Sequence, residues 1–244
     1  MFPLRDNIPT LRFPAVTVTL IALNAFVYFF LQDALLGLPD QGLSGDWPVD
    51  TYAEIPCELS GAEPCAAAPG GPSPVVTVFT AMFMHGSIIH LGGNMLFLWI
   101  FGNNVEDSMG PVKFVLFYLL GGIAAAALQI AIDPGSEIPN LGASGAVAGV
   151  LGGYLLLFPR ARVITLIFFV FFFTIIELPA LLILGFWFVQ QVLFGYFDLS
   201  TAGNPEGGVA YFAHIGGFAF GLLAIKLFAD ERKRLAQIDR VGRA

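Results

Sequence analysis

Charge is scarce in this sequence: only 12% of its 244 residues are Asp, Glu, Lys or Arg. A soluble domain carries about twice that share. Against this stand 57% hydrophobic residues and 25 phenylalanines. A soluble globule of this size would not hide so much apolar surface behind so few charges. Disorder is excluded by the same numbers, because disordered chains are poor in apolar residues. Basic residues are fewer than acidic ones, 11 against 18, for a net charge of −7. No basic stripe interleaves with aromatics, so a nucleic-acid partner is not expected. The chain is short for a large transporter but sufficient for about six membrane spans of roughly 20 residues each.

What is there is a series of long apolar runs. They place spans over 13–36, 75–101, 112–132, 142–158 and 209–228. The remaining apolar region, 163–197, has 35 residues. As one helix it would be about 50 Å long, against a bilayer core of about 30 Å. It must break, and Glu177 and Pro179 mark the place, since proline suits the first turn of a helix. A full span then covers 178–197, and 163–176 reads as an apolar connection that does not cross. The expected architecture is an all-α polytopic bundle of six transmembrane helices in a single membrane domain over 1–244. A long outer loop covers 37–74, and a cytoplasmic tail covers 229–244. Arg5 and Arg12 precede the first run, as in a secretory signal. The run is too long for one, however, and Gln32-Asp33-Ala34 offers no cleavage site, so a retained anchor is expected.

Lys and Arg mark the cytoplasmic side of a membrane protein. Here Arg5, Arg12, Lys113, Arg160, Arg162 and the bases from Lys226 to Arg243 fall on one side of a six-span layout. The loop 37–74 has six acids and no base, and 133–141 and 198–208 also lack bases. A seventh crossing would break this pattern. Both termini are thus expected in the cytoplasm. Cys57 and Cys65 lie together in the outer loop, on the oxidising side, and a disulfide between them is expected.

Polar groups inside a bilayer cost several kcal/mol unless paired, so each is a candidate site. Span two holds His85, His90 and Asn94. Span four opens with Gly142-Ala143-Ser144-Gly145. Span six holds His214. All three histidines of the protein are among them, and all these groups sit near the outer ends of their spans. One crossing separates Ser144 from His214, which returns both to the same face. Gly145, Gly149 and Gly153 on span four and Gly217 and Gly221 on span six recur at small-residue spacing, which lets backbones approach closely. Serine needs a base to become a nucleophile, and histidine is the usual one. No carboxylate lies at that depth in any span, which favours a Ser-His dyad over a triad. Asn94 and His90, four residues apart on one helix face, are candidate oxyanion donors, together with the Ser144 backbone N–H at a helix start.

At these residues the chain resembles the rhomboid family of intramembrane serine proteases, in its bacterial six-span form. The matches are H-x4-H-x3-N at His85, His90 and Asn94, G-A-S-G at 142–145, and A-H-x-x-G-x-x-x-G at 213–221. The run Gly-Asn-Asn-Val-Glu-Asp at 102–107 is similar too, and the resemblance extends over 75–228. It implies an intramembrane serine endopeptidase with Ser144 as nucleophile and His214 as base. It also implies His90 and Asn94 as oxyanion donors and His85 as a supporting polar residue. No cofactor or metal is implied. The partners implied are the lipid bilayer and transmembrane protein substrates, cut near small or helix-destabilised residues. The implied setting is a bacterial inner or plasma membrane, with the site open to the outer face. The alternative is an inactive rhomboid-like protein that binds transmembrane clients, against which the retention of all four residues argues. A metal or haem site built from the three histidines would lack any acidic or thiol ligand at their depth. Two departures from many relatives stand out. Ala148 occupies the place, one turn after the serine, of an aromatic that packs on the histidine. The loop has Trp47-Pro48 where a Trp-Arg pair is common.

Overall fold

The computed structural model describes residues 2–32, 49–65, 71–169, 172–200 and 209–241. The last residues of the 13–36 run, Trp47 and part of the 37–74 connection, residues 201–208 and residues 242–244 lie outside them.

A short strand, β1 (Phe2–Asp6), precedes α1 (Ala15–Phe26), which widens into a π-helical turn over Val27–Leu31. The long connection carries two short helices, α2 (Val49–Tyr52) and α3 (Pro56–Ser60). The 75–101 run is not one helix. It divides into α4 (Pro74–Ala81) and α5 (Ile88–Phe97), with irregular backbone over 82–87. Ser87 causes the restart: it is extended, at φ −162° and ψ 160°, and its hydroxyl accepts the His90 N–H at 3.1 Å, as a helix N-cap does. α5 continues through a π turn at Leu98–Gly102 into α6 (Asn103–Met109). There follow α7 (Pro111–Ile132), α8 (Ser144–Leu157), β2 (Arg162–Phe169), β3 (Phe172–Pro179), α9 (Ala180–Ser200), α10 (Tyr211–Phe228) and α11 (Glu231–Val241).

The fold is mostly helical but not all-α. The three strands form an antiparallel sheet in the order β1-β2-β3. The 163–176 stretch, expected as an apolar connection, is the body of a hairpin whose register runs from Arg162↔Pro179 to Phe169↔Phe172. Its density of Val, Ile, Thr and Phe suits a pleated strand better than a helix. β1 adds to the free edge of β2, from Phe2↔Leu166 to Asp6↔Val163, and was not visible as a strand in the sequence. Pro179 ends β3 instead of entering a helix, so α9 begins at Ala180, two residues later than the 178–197 span supposes.

Among the described residues, three helices are long and apolar enough to cross a membrane: α7, α9 as far as Leu199, and α10. The helical stretch Ala15–Leu31 and α8 are apolar but shorter. With 14 residues, α8 spans only about 21 Å. It need not match a bilayer, because it lies inside the protein. Every residue from Gly145 to Tyr154 is buried, packed between α7 and α10. Glycine makes that packing fit. A Cβ on Gly217 would overlap the Gly145 carbonyl oxygen and sit 3.0 Å from its carbon. One on Gly221 would overlap the Gly149 carbonyl oxygen in the same way. Gly145 itself faces Ala125 of α7, and Gly153 faces Ile225 and Phe117.

The end of the bundle remote from Ser144 is tied by polar contacts. Lys113 Nζ donates to the Phe228 carbonyl at 3.2 Å, and Arg234 to the Leu157 carbonyl at 3.1 Å. Asp6 accepts from Asn104 at 2.6 Å and from the Tyr154 hydroxyl at 2.5 Å. α1 has proline at its N-cap and no capping side chain of its own. Glu106 supplies the cap from α6, accepting Val16 N–H at 3.0 Å, Thr17 N–H at 2.8 Å and the Thr17 hydroxyl at 2.7 Å. This satisfies helix-end donors that would otherwise be orphaned.

At the other end, α2 and α3 dock on the connection between α7 and α8. Glu54 N–H donates to Asn140 O at 3.0 Å, and Asn140 N–H to Glu54 O at 2.7 Å. Cys57 N–H donates to Ser136 O at 3.0 Å. A disulfide joins Cys57 and Cys65, with Cα atoms 5.7 Å apart. Burial pushes the Glu54 carboxyl up to about 7. A carboxyl with a raised pKa binds its proton more tightly when folded. Its contribution to docking is therefore complete below the ordinary value of 4.5 and declines as pH rises towards about 7, above which it is flat. Glu54→Gln mimics the protonated form at every pH. It should melt several degrees above wild type at about pH 8 and alongside it at about pH 4. Thermal melts at the two pH values check this, and an equal offset at both would contradict it.

Candidate active site

Ser144 is the first residue of α8, so its backbone N–H has no partner from a preceding helical turn. Its approach is set by Gly142, whose φ of +131° is open to glycine and rarely to other residues. Gly142 N–H donates to the Ala81 carbonyl at 2.9 Å, which hangs the loop on the end of α4. A Cβ on Gly142 would lie 2.8 Å from His90 Nε2 and 3.6 Å from Ser144 Oγ. The glycine is therefore needed twice, for its backbone angle and for the room that brings the His90 ring beside the serine.

His85 lies just before α5, and His90 and Asn94 stand one above the other on it. His85 is almost fully buried, and its Nε2 lies 3.0 Å from Asn94 Nδ2. The amide donates here, since its nitrogen cannot accept. That bond fixes the Asn94 head. The His85 and His90 rings meet edge to face at 5.1 Å.

His214 sits one turn into α10. The start of that helix is held by Gln129 of α7, whose Oε1 accepts the Ala213 N–H at 3.1 Å. Two α9 side chains meet the His214 ring. Trp187 lies against it with ring centroids 5.7 Å apart, and Gln191 Oε1 lies 2.8 Å from Nδ1. Gln191 is 6% exposed. Ser144, His90, Asn94, His214 and Trp187 all line one cavity of about 870 Å³.

The structure thus brings Ser144, His90, Asn94 and His214 to a single space, with His85 behind Asn94. Among the described residues no cluster of three metal-ligating side chains occurs. Sequence reasoning missed the α9 side of the site. With Ala148 at the place of the usual aromatic, ring support for His214 comes from Trp187. Gln191 was also missed. The signal was present: Gln190-Gln191 is an amide pair inside an otherwise apolar run.

The site's residues fall within a segment of known kind. The rhomboid domain model matches residues 72–231, about two thirds of the chain. Rhomboid protein 1, mitochondrial, of Saccharomyces cerevisiae is 30% identical over 176 residues, covering 69% of this chain and 46% of that protein. The mitochondrial presenilin-associated rhomboid-like protein of Mus musculus is 29% identical over 144 residues, 57% of this chain and 34% of the relative. Rhomboid protease GluP of Bacillus subtilis is 38% identical over 78 residues, 32% of this chain and 15% of the relative. The chain therefore spans less than half the length of these relatives. With its apolar helices and a domain match over most of its length, the chain is an integral membrane protein that belongs to the rhomboid family.

Proposed function

We propose that the chain is an intramembrane serine endopeptidase acting on transmembrane segments of other proteins. Ser144 is the nucleophile, His214 the general base, and His90, Asn94 and the Ser144 N–H the oxyanion donors. The observation that carries this reading is the convergence of Ser144, His214, His90 and Asn94 on one cavity at the start of a buried helix.

The chemistry runs in two halves. The Ser144 Oγ–H proton passes to His214 Nε2 as Oγ bonds to the substrate carbonyl carbon, whose oxygen becomes an anion facing the donors. The C–N bond then breaks, and the proton on Nε2 goes to the leaving amine. Water repeats the sequence on the acyl-enzyme, with His214 again taking the proton, and frees Ser144. In this reading six helical segments cross the bilayer: Ala15–Leu31, the α5–α6 run, α7, α8, α9 and α10. The termini share the face where Lys113 and Arg234 make their contacts, and the cavity opens on the opposite, base-poor face.

A fluorophosphonate tests the reading directly, because it reacts only with an activated serine. Wild-type protein in detergent should be labelled on the peptide carrying Ser144, with label lost on denaturation before treatment. Cleavage of a model transmembrane substrate in proteoliposomes should be blocked in proportion to labelling. An unlabelled, folded protein would place the chain among inactive rhomboid-like binders.

A further inference from the structure

A dyad leaves one nitrogen of the base without an obvious partner. In a triad a carboxylate accepts a hydrogen bond from Nδ1–H, which fixes the ring and leaves Nε2 free to act. Among the described residues no carboxylate is hydrogen-bonded to His214, and Gln191 Oε1 stands 2.8 Å from Nδ1. We propose that Gln191 is a positioning residue that acts through His214: its amide oxygen accepts the Nδ1–H, selects the tautomer with a bare Nε2, and aims that nitrogen at Ser144. This rests on the reading of Ser144 and His214 as the catalytic pair and deepens it.

Three features of the surroundings point the same way. Gln191 is buried, so water does not compete for its oxygen, and an unmet amide there would be costly. Trp187, one turn earlier on α9, lies along the His214 ring at 5.7 Å and 38°. Together the two side chains restrain the ring in position and in rotation. Both come from α9, whereas His214 belongs to α10 and Ser144 to α8. The α9 helix therefore completes the site without touching the reacting atoms. A neutral acceptor also suits an apolar setting. A buried carboxylate would need full compensation for its charge, while an amide supplies the same hydrogen bond at a smaller desolvation cost.

The amide takes no proton during the reaction. When His214 accepts the Ser144 proton on Nε2, Nδ1–H stays bonded to Gln191, and the ring's positive charge draws that bond tighter.

Two measurements test the proposal. The protein has three histidines, so ¹⁵N-histidine labelling gives a ring spectrum simple enough to assign. It is read on the full chain carrying Ser144→Ala, in which turnover plays no part. His214 should show a protonated Nδ1 and a bare Nε2, and adding Gln191→Leu should produce a mixture of tautomers. A His214 that carries its proton on Nε2 while Gln191 is intact overturns the proposal. In the active protein Gln191→Leu should lower kcat by about 10²-fold with little change in KM. The figure is the scale for a misaligned catalytic group, below the roughly 10⁴-fold of a lost triad carboxylate. Equal kcat in wild type and Gln191→Leu also overturns the proposal. If Ser144→Ala still cleaves substrate, the reading of Ser144 as nucleophile fails, while the tautomer spectrum still reports on the Gln191–His214 bond by itself.

Discussion

Ser144→Ala should abolish cleavage of a transmembrane substrate and leave the protein folded. The loss should reach the background of the assay, because in a nucleophile–base pair the members act as a unit and removing the attacking atom removes the route itself. The fold should tolerate the change. Ser144 is the first residue of α8 and only half-buried, its side chain caps no helix, and alanine is the best helix former. The variant should bind substrate at wild-type affinity, since His90, Asn94, His214 and Trp187 still line the cavity. Gel-based cleavage assays with matched thermal melts check both halves. Residual cutting at the same peptide bond would remove Ser144 from the role of nucleophile. Loss of activity together with a large fall in melting temperature would show a structural serine.

Gly217→Val should be far worse than the added volume implies. The Cβ alone would overlap the Gly145 carbonyl oxygen and lie 3.3 Å from the Gly149 nitrogen. These are backbone atoms of a buried helix, so no side chain can turn aside. The helices must separate, or α10 must rotate. Overpacking of a core costs about 1–3 kcal/mol where side chains can adjust, and here they cannot, so the lower melting point should be plain. Gly217 lies one turn beyond His214, and Gly145 is next to Ser144. The separation therefore falls on the two residues that must meet. A displacement of about 1 Å at reacting groups costs on the order of 10²-fold in rate. The variant should lose both activity and heat resistance, whereas Gly217→Ala should fall between it and wild type. Wild-type cleavage and melting in Gly217→Val would show that α8 and α10 do not depend on this approach.

The two predictions rest on residues of unequal legibility. His85, His90, Asn94, Ser144 and His214 were readable because polar side chains are rare in apolar runs and because glycine spacing flagged close helices. Gln191 was equally polar and equally isolated. It escaped because it lies in none of the three motifs, whereas Asn94, also an amide, stands in H-x4-H-x3-N. The hairpin was hidden for another reason. A short run of Phe, Ile and Val has no period that separates a strand from a buried helix, and its length excluded a crossing without naming the alternative. β1 was invisible because its pairing partner lies about 160 residues away. The break between α4 and α5 turned on one serine cap within an apolar stretch. Glu106 stands in the sequence only as part of the Gly-Asn-Asn-Val-Glu-Asp run, and the folded chain shows it closing the start of α1.

The burial of α8 has a consequence for how the protein meets membranes of different thickness. α7, α9 and α10 present exposed apolar rows to a surrounding bilayer, such as Leu116 and Leu120, Leu182 and Phe186, and Leu223 and Leu227. Those helices must tilt, or the bilayer must thin or swell, when the two do not match. The helix that starts at Ser144 is insulated from that adjustment by the neighbours it is pressed against. Its depth is measured from other backbones and not from the lipid surface. The protein thus carries its own ruler: Ser144 keeps its level relative to His90, Asn94 and His214 while the surrounding bilayer does the accommodating.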